Sequence, residues 1–314
     1  MNVLTLPPSS QPDSSCLFFG AGNWGRNVIT AFTACGATAS GFAVTGTAST
    51  LTWLSTAHPG VPVSTDPRQL LATDDAPTVV ITTPKETHVA LAELALSDGR
   101  HVFVEKPMAL DPADGRRLTA MAENRGLALF TGFTYLYHPA VERLRAAVGP
   151  DDVAALRFAW HRPALEGPVE WELLPHDVAL AITLTDEIPH AICVSGGGDT
   201  ARCWWTTSRG ATVSIELTGS GPGPKRKQLA LTTASGESWE WSDHRLRQTP
   251  DGNRPPGADP VDAQFAPNLP LLREVDWFLD HRTDRRAMRT DMALSVAVTD
   301  LINRALTTRQ ERPA

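Results

Sequence analysis

The sequence predicts an α/β chain in two parts, a doubly wound parallel sheet followed by an α+β domain with a largely antiparallel open sheet. Three observations predict it. From Cys16 to Phe130 short apolar runs alternate with longer segments of helical period, the pattern of parallel strands joined by helical crossovers. Glycines gather at the first strand-to-helix junction, in FFGAGNWGRN. Beyond residue 131 strand-like runs follow one another with little helix between them, which reads as antiparallel pairing.

In order, the strands of the first part are expected at Cys16–Phe19, Ala39–Val44, Val61–Ser64, Thr78–Thr82, His101–Val104 and Leu127–Phe130, with helices opening near Trp24, Ser49, Pro67, Glu86 and Pro112. The second part offers strands at Ala154–His161, Ala191–Val194, Ala201–Thr207, Thr212–Leu217, Gln228–Thr232 and Ser238–Trp241. A Pro/Gly/Asn/Asp-rich stretch, 249–268, reads as a mobile connector before a helical close at Pro270–His281 and Met292–Thr307. The expected division is a flexible Pro/Ser-rich leader at 1–13, a nucleotide-binding domain at 14–131 and a second domain at 132–314.

Composition narrows the function classes. The 314 residues, 42% hydrophobic and 20% charged, suffice for a sizeable core in two domains. Net charge is −7 and the longest run of like charge is Lys225-Arg226-Lys227, so nucleic acid is not an expected partner. The leader has no apolar segment of signal-peptide type, and no stretch has the length of a membrane span. Cys16, Cys35, Cys193 and Cys203 lie far apart without a CxxC pair, which points to neither metal nor disulfides and fits a reducing cytoplasm.

The chemistry begins at Gly20-Ala21-Gly22-Asn23-Trp24-Gly25, a G-x-G-x-x-G after a strand and opening a helix. Gly20 permits the tight turn, Gly22 lets backbone approach a pyrophosphate, and Gly25 lets helix and strand pack closely, so residues 14–131 read as a dinucleotide-binding Rossmann domain. The second strand should then end in an acid that binds the adenosine ribose of NAD. Instead Ser14–Thr65 contains no Asp or Glu, and Thr45 stands at that place. With no carboxylate to repel a 2′-phosphate, and with the Thr45 or Thr47 hydroxyl able to donate to one, the sequence leans to NADP(H) over NAD(H). Arg26 is the sole Arg or Lys in that interval, and none is seen near Thr45 to hold the phosphate.

At HVFVEKP the fifth strand ends in Glu105-Lys106-Pro107. That end lies at the carboxyl edge of the sheet, where ligands of doubly wound domains bind, and a lysine there is a cation placed beside a carbonyl or alkoxide oxygen. The plainer reading of an isolated Glu-Lys pair is a solvated strand end.

GAGNWGRN, TTPKETH (82–88) and GRHVFVEKP (99–107), in this order and spacing, resemble the Gfo/Idh/MocA family of NAD(P)-dependent oxidoreductases. GFTYLYHPAV (132–141) and WELLPHDV (171–178) are similar to its nucleotide-sugar subgroup, the UDP-N-acetylglucosamine 3-dehydrogenase-like enzymes. The resemblance implies that Lys106 orients substrate and assists proton transfer, that the Lys106-Pro107 bond is cis, and that His176 is the acid/base partner. It further implies that Thr83, Pro84 and His88 pack near the cofactor with Glu105. Two departures stand out: Glu172 replaces the aspartate four positions before His176, and Thr45 replaces the Asp of NAD-preferring relatives.

The residues agree with that chemistry. Interconverting a secondary alcohol and a ketone needs one group to move the hydroxyl proton, and an imidazole suits the task. On one continuous helix Glu172 and His176 would lie one turn apart and the carboxylate would orient the ring, although Pro175 weakens that helix. Tyr135, Tyr137 and Trp171 are candidates for stacking on a sugar or base, with core packing the alternative. Asp177 would point elsewhere, to a sugar hydroxyl or a helix cap. Lys225–Lys227 reads as a solvated hairpin tip rather than a diphosphate site.

The expected function is hydride transfer between nicotinamide and a hydroxyl or keto carbon of a nucleotide-linked sugar, as dehydrogenase or ketoreductase. The alternatives are reduction of an imine or keto group on a cyclitol or natural-product intermediate, and a catalytically silent dinucleotide sensor. A homodimer or homotetramer through the C-terminal sheet is implied by the resemblance.

Overall fold

A computed structural model gives the protein's structure and describes residues 14–249 and 261–310. The 1–13 leader and most of the 249–268 connector lie outside the described residues. Two compact units emerge: the described chain up to Phe133 together with Leu271–Thr299, and Thr134–Pro270 together with Asp300 onward. This differs from the 132–314 domain of the sequence reading, because a helical segment far down the chain folds with the first unit.

In the first unit the order is β1 (Ser15–Phe19), α1 (Asn23–Ala34), β2 (Thr38–Ala43), α2 (Ala48–Ala57), β3 (Val63–Ser64), α3 (Pro67–Thr73), β4 (Thr78–Ile81), α4 (His88–Ser97), β5 (His101–Glu105), α5 (Pro112–Arg125) and β6 (Leu129–Gly132). The six strands pair in parallel in the order β3-β2-β1-β4-β5-β6, the doubly wound arrangement. Strands β4 and β6 are buried throughout, as covered parallel strands require, which explains the apolar Val79–Ile81 and Leu129-Phe130 within them. Helix ends follow local chemistry. The Asp111 carboxylate accepts from Ala113 N–H at 2.7 Å ahead of Pro112, and Gly126 closes α5 in the left-handed region at φ +68°.

The unit is completed from downstream. Helix α9, Leu269–His281, follows in the numbering of the whole chain after α6 (Pro139–Ala147), α7 (Val169–Glu172) and α8 (Leu174–Thr185) of the second unit. Its Phe278 sits among Phe32, Phe103 and Phe130, with ring centroids 6.1, 5.5 and 5.4 Å away. The first part of α10 (Arg285–Gln310) adds polar ties: the buried Asp291 carboxylate accepts from Thr131 N–H at 2.9 Å, and Thr131 Oγ1 donates to Ser295 Oγ.

In the second unit, β7 (Val153–His161), β8 (Cys193–Gly197), β9 (Thr200–Thr206), β10 (Thr212–Thr218), β11 (Arg226–Thr233), β12 (Ser238–Ser242), β13 (Arg245–Thr249) and β14 (Asp262–Gln264) form an eight-stranded sheet ordered β14-β13-β12-β11-β7-β10-β9-β8. All pairs are antiparallel except β7 with β10. Strand β14 interrupts the stretch read as a bare connector. Burial alternates along β9 and β11, so one face carries Ala201, Cys203, Trp205, Leu229 and Leu231 inward, and α8 packs against β7 and β10.

Candidate functional site

The carboxyl edge of the first sheet is built by its glycines. At the end of β1, Gly20 turns the chain with φ +97°, and a Cβ there would lie 2.8 Å from the Thr82 carbonyl carbon. Gly25 faces the same loop, where a Cβ would lie 2.6 Å from Thr82 Oγ1. Gly22 is different: a Cβ there would meet nothing within 4 Å. It caps α1 without a side-chain hydrogen bond, and no acid occupies the first turn, which also holds the exposed Asn23 and Trp24. Free N–H groups at an open helix start, with no carboxylate beside them, suit a pyrophosphate. This open turn therefore fits the dinucleotide that the motif implies, which Gly20, Gly22, Asn23, Trp24 and Gly25 would hold.

Across the edge, β5 delivers Glu105 and Lys106. The Lys106-Pro107 peptide is cis. Glu105 is buried, and its Oε1 accepts the Trp24 indole N–H at 2.6 Å. Burial raises its carboxyl to about 7, against the lowering effects of the Trp24 hydrogen bond and of Lys106. His88 ties the neighbouring loops together: Nδ1 lies 2.8 Å from the Pro107 carbonyl and Nε2 2.8 Å from the Thr83 carbonyl. Burial lowers its pKa while the two carbonyls oppose this, and the neutral ring donates to one of them at a time. Thr83 also shares a hydrogen bond with Thr87, at 2.7 Å between hydroxyls, beside the turn at Pro84.

After β2, the Thr45–Ser49 stretch is exposed. The Thr47 hydroxyl is engaged as the α2 cap, accepting from Thr50 N–H, and lies 2.9 Å from Ser49 Oγ. A basic side chain does reach this place, contrary to the sequence reading. Arg26 Nη2 on α1 donates to Thr50 Oγ1 at 3.3 Å, and its guanidinium stands 5.4 Å from the Trp53 ring centroid.

In the second unit Tyr135, His176 and Asp177 converge. The Tyr135 ring meets the imidazole of His176 edge-on at 5.1 Å, and Trp160 lies 5.2 Å from Tyr135 and 5.6 Å from His176. Asp177 is fully buried and takes the Lys227 ammonium, itself 3% exposed. That ammonium lies 3.8 Å from the Trp160 ring centroid and 4.5 Å from that of Tyr135. Burial pushes the Asp177 carboxyl up and the Lys227 ammonium down, and their mutual attraction opposes both shifts. The Tyr135 hydroxyl is raised by burial and by the Asp177 charge.

Several expectations are corrected here. Asp177 does not reach outward to cap a helix; its partner is Lys227. That lysine does not sit on a solvated hairpin tip but on the inward side of β11. Glu172 closes α7 and Leu174 opens α8, so the single helix that would set Glu172 under His176 does not form. Pro175 supplies the cause, since it has no N–H to give the Trp171 carbonyl. Trp171 is half-buried outside the ring cluster, while Tyr137 shares the short 3₁₀ turn of Tyr135. Sequence reasoning missed Arg26 at Thr50, Trp160 and Lys227. Lys227 carried a signal, standing two and four residues before the inward Leu229 and Leu231.

Residues 14–133 match the model of GFO_IDH_MocA, described as an oxidoreductase family with an NAD-binding Rossmann fold. Over those residues the chain is similar to the NAD-binding Rossmann domain of that family. The chain is 36% identical over 155 residues to a UDP-N-acetylglucosamine 3-dehydrogenase of Acidithiobacillus ferrooxidans, a match covering 46% of this chain and 49% of the relative. The match thus spans about half the relative's length. A solved structure of an enzyme of that name and organism, GnnA, superposes with a TM-score of 0.81 at 23% identity over 94% of this chain and 96% of the other. GenD2 from gentamicin A biosynthesis, solved in complex with NAD, gives 0.80 at 21% identity over 98% of both chains. The fold shared with these solved structures accordingly extends over the parallel and the antiparallel sheets alike. Among the described residues no helix is long and apolar enough to cross a membrane, and no group of His, Cys, Asp and Glu is placed to hold a metal ion.

Proposed function

We propose that the protein is an NAD(P)-dependent oxidoreductase acting on a hydroxyl or keto carbon of a sugar, most consistently a nucleotide-linked one. The observation that carries this reading is the open backbone at Gly22 on the same sheet edge as Glu105 and Lys106, a place for a dinucleotide beside a charged strand end. The sugar class is supported by the similarity to UDP-N-acetylglucosamine 3-dehydrogenase. The bound nicotinamide supplies the hydride exchange.

This chain's residues supply the rest. Lys106 holds the substrate oxygen and lowers the cost of charge on it, and His176 takes or gives the hydroxyl proton. Tyr135 fixes the imidazole by ring contact. Tyr137 and Trp171 offer aromatic surface for a sugar or base. Thr83, Pro84 and His88 shape the loop under the cofactor. We also propose that Trp204, 45% exposed on the outward side of β9, belongs to a face that pairs with a second copy, and that the protein works in a reducing cytoplasm, in keeping with its four free cysteines.

The test is turnover of UDP-N-acetylglucosamine and related nucleotide sugars with NAD⁺ or NADP⁺, followed at the nicotinamide absorbance. Lys106→Ala and His176→Ala should each lower kcat by about 10²–10⁴-fold, the usual range for loss of an acid/base group. Dinucleotide binding without turnover of any sugar, nucleotide-linked or free, would sink the substrate reading.

A further inference from the structure

The adenosine end of the proposed cofactor site carries a cation that has no acidic partner among the described residues. Arg26 follows Gly25 directly in α1 and reaches across to α2, where among the described residues it meets neutral groups, the Thr50 hydroxyl and the face of Trp53. Its Nε is buried and makes no hydrogen bond among the described residues. No Asp or Glu occurs between Ser14 and Thr65, and Arg26 is the only Arg or Lys in that interval. Buried or half-buried guanidinium groups ordinarily meet carboxylates, and this one meets the Thr50 hydroxyl, which itself lies 3.4 Å from the Thr47 hydroxyl of the turn after β2.

The geometry points to Arg26 as the residue that holds the 2′-phosphate of an adenosine dinucleotide, making the protein selective for NADP(H). The inference rests on the dinucleotide reading of the Gly20–Gly25 edge. At the β2 end of a doubly wound sheet the ribose 2′ position is the point where the two cofactors differ. An acid there binds the free hydroxyl; an arginine with spare donors and no counter-charge binds the phosphate. The Thr50 and Trp53 contacts restrict the guanidinium beforehand, so little rotamer freedom is lost on binding. The exposed Thr45–Ser49 turn adds neutral hydroxyl groups on the same loop.

The test is titration of the purified full chain with NADPH and NADH, following nicotinamide fluorescence, in wild type, Arg26→Met and Arg26→Lys. Wild type should bind NADPH more tightly. Arg26→Met keeps a stem against Trp53 and should lose about 10–100-fold in NADPH affinity, the range of a charge-assisted hydrogen bond, with NADH changed less than about 3-fold. Arg26→Lys should fall between. Calorimetry of wild type with adenosine 2′,5′-bisphosphate against 5′-AMP needs no variant and should favour the bisphosphate. Equal weakening of both dinucleotides by Arg26→Met, or tighter NADH binding by wild type, overturns the assignment while leaving the oxidoreductase reading intact. Failure of wild type to bind either dinucleotide overturns both.

Discussion

The ammonium of Lys227 meets the carboxylate of Asp177 inside the second unit, roofed by the rings of Tyr135 and Trp160 and next in sequence to His176. Two opposite charges taken from water in this way stabilise little by themselves, since desolvation consumes most of the attraction. They bind strand β11 to helix α8 at one spot and fix the Asp177 backbone from which the imidazole is projected.

Breaking the pair on one side should therefore be far worse than removing it. Lys227→Met is expected to cost about 3–5 kcal/mol in urea unfolding near neutral pH, with part regained in acid as Asp177 takes up a proton. Asp177→Asn combined with Lys227→Met should recover most of the loss. A double variant as unstable as the single one would show that the charges are not what holds the position.

The glycines of the first turn divide by what surrounds them. Gly25→Ala places a methyl 2.6 Å from Thr82 Oγ1 and should destabilise by about 1–3 kcal/mol, the cost of overpacking. Gly22→Ala meets nothing in the folded chain and should change stability by less than about 1 kcal/mol, yet weaken dinucleotide binding at least about tenfold by blocking the approach of the pyrophosphate. Thermal unfolding and fluorescence titration of the two variants separate the packing role from the binding role.

Asp291 predicts a pH dependence of stability. Burial raises its carboxyl from 3.8 to about 7, so the folded chain keeps a proton that the unfolded chain releases. Its contribution is fully present below about pH 4 and is lost as pH rises toward 7. Asp291→Asn keeps an oxygen for Thr131 N–H without the charge. Between about pH 5 and pH 8 this variant should gain on wild type by on the order of 2–3 kcal/mol, read from denaturation midpoints. A gap independent of pH would rule out this titration.

His88 bridges the Thr83 and Pro107 carbonyls, and His88→Ala should cost about 1–3 kcal/mol by leaving a buried carbonyl without a donor. Because the bridge also positions the loop beside Lys106, NAD(P)H affinity should fall in the same variant. Unchanged melting temperature and affinity would show the bridge to be dispensable.

The first sheet was legible because parallel strands covered on both faces must be apolar throughout, and its glycine turn has a spacing of its own. The second sheet was legible from strand-like runs that follow one another with little helix between them. What escaped the sequence was long-range. Nothing local to LREVDWFLDH says that Phe278 fills the space among Phe32, Phe103 and Phe130, and nothing in GRNVIT says that Arg26 meets Thr50. Lys227 was hidden by its neighbours, because a Lys-Arg-Lys run looks solvated until its middle and last members are seen on opposite faces of one strand. The Glu172 helix failed for the opposite reason, a local veto by Pro175 that outweighed the spacing.

Phe278 has a consequence for biosynthesis. The ribosome completes all six strands of the parallel sheet by residue 132, but the ring that closes their aromatic core is translated well over a hundred codons later. Throughout that interval the nascent chain carries Phe32, Phe103 and Phe130 without their cover, a surface that invites chaperones or self-association. A fragment ending at residue 133 should be sticky for the same reason, and supplying the Leu269–His281 segment in trans is the means by which it would be made soluble.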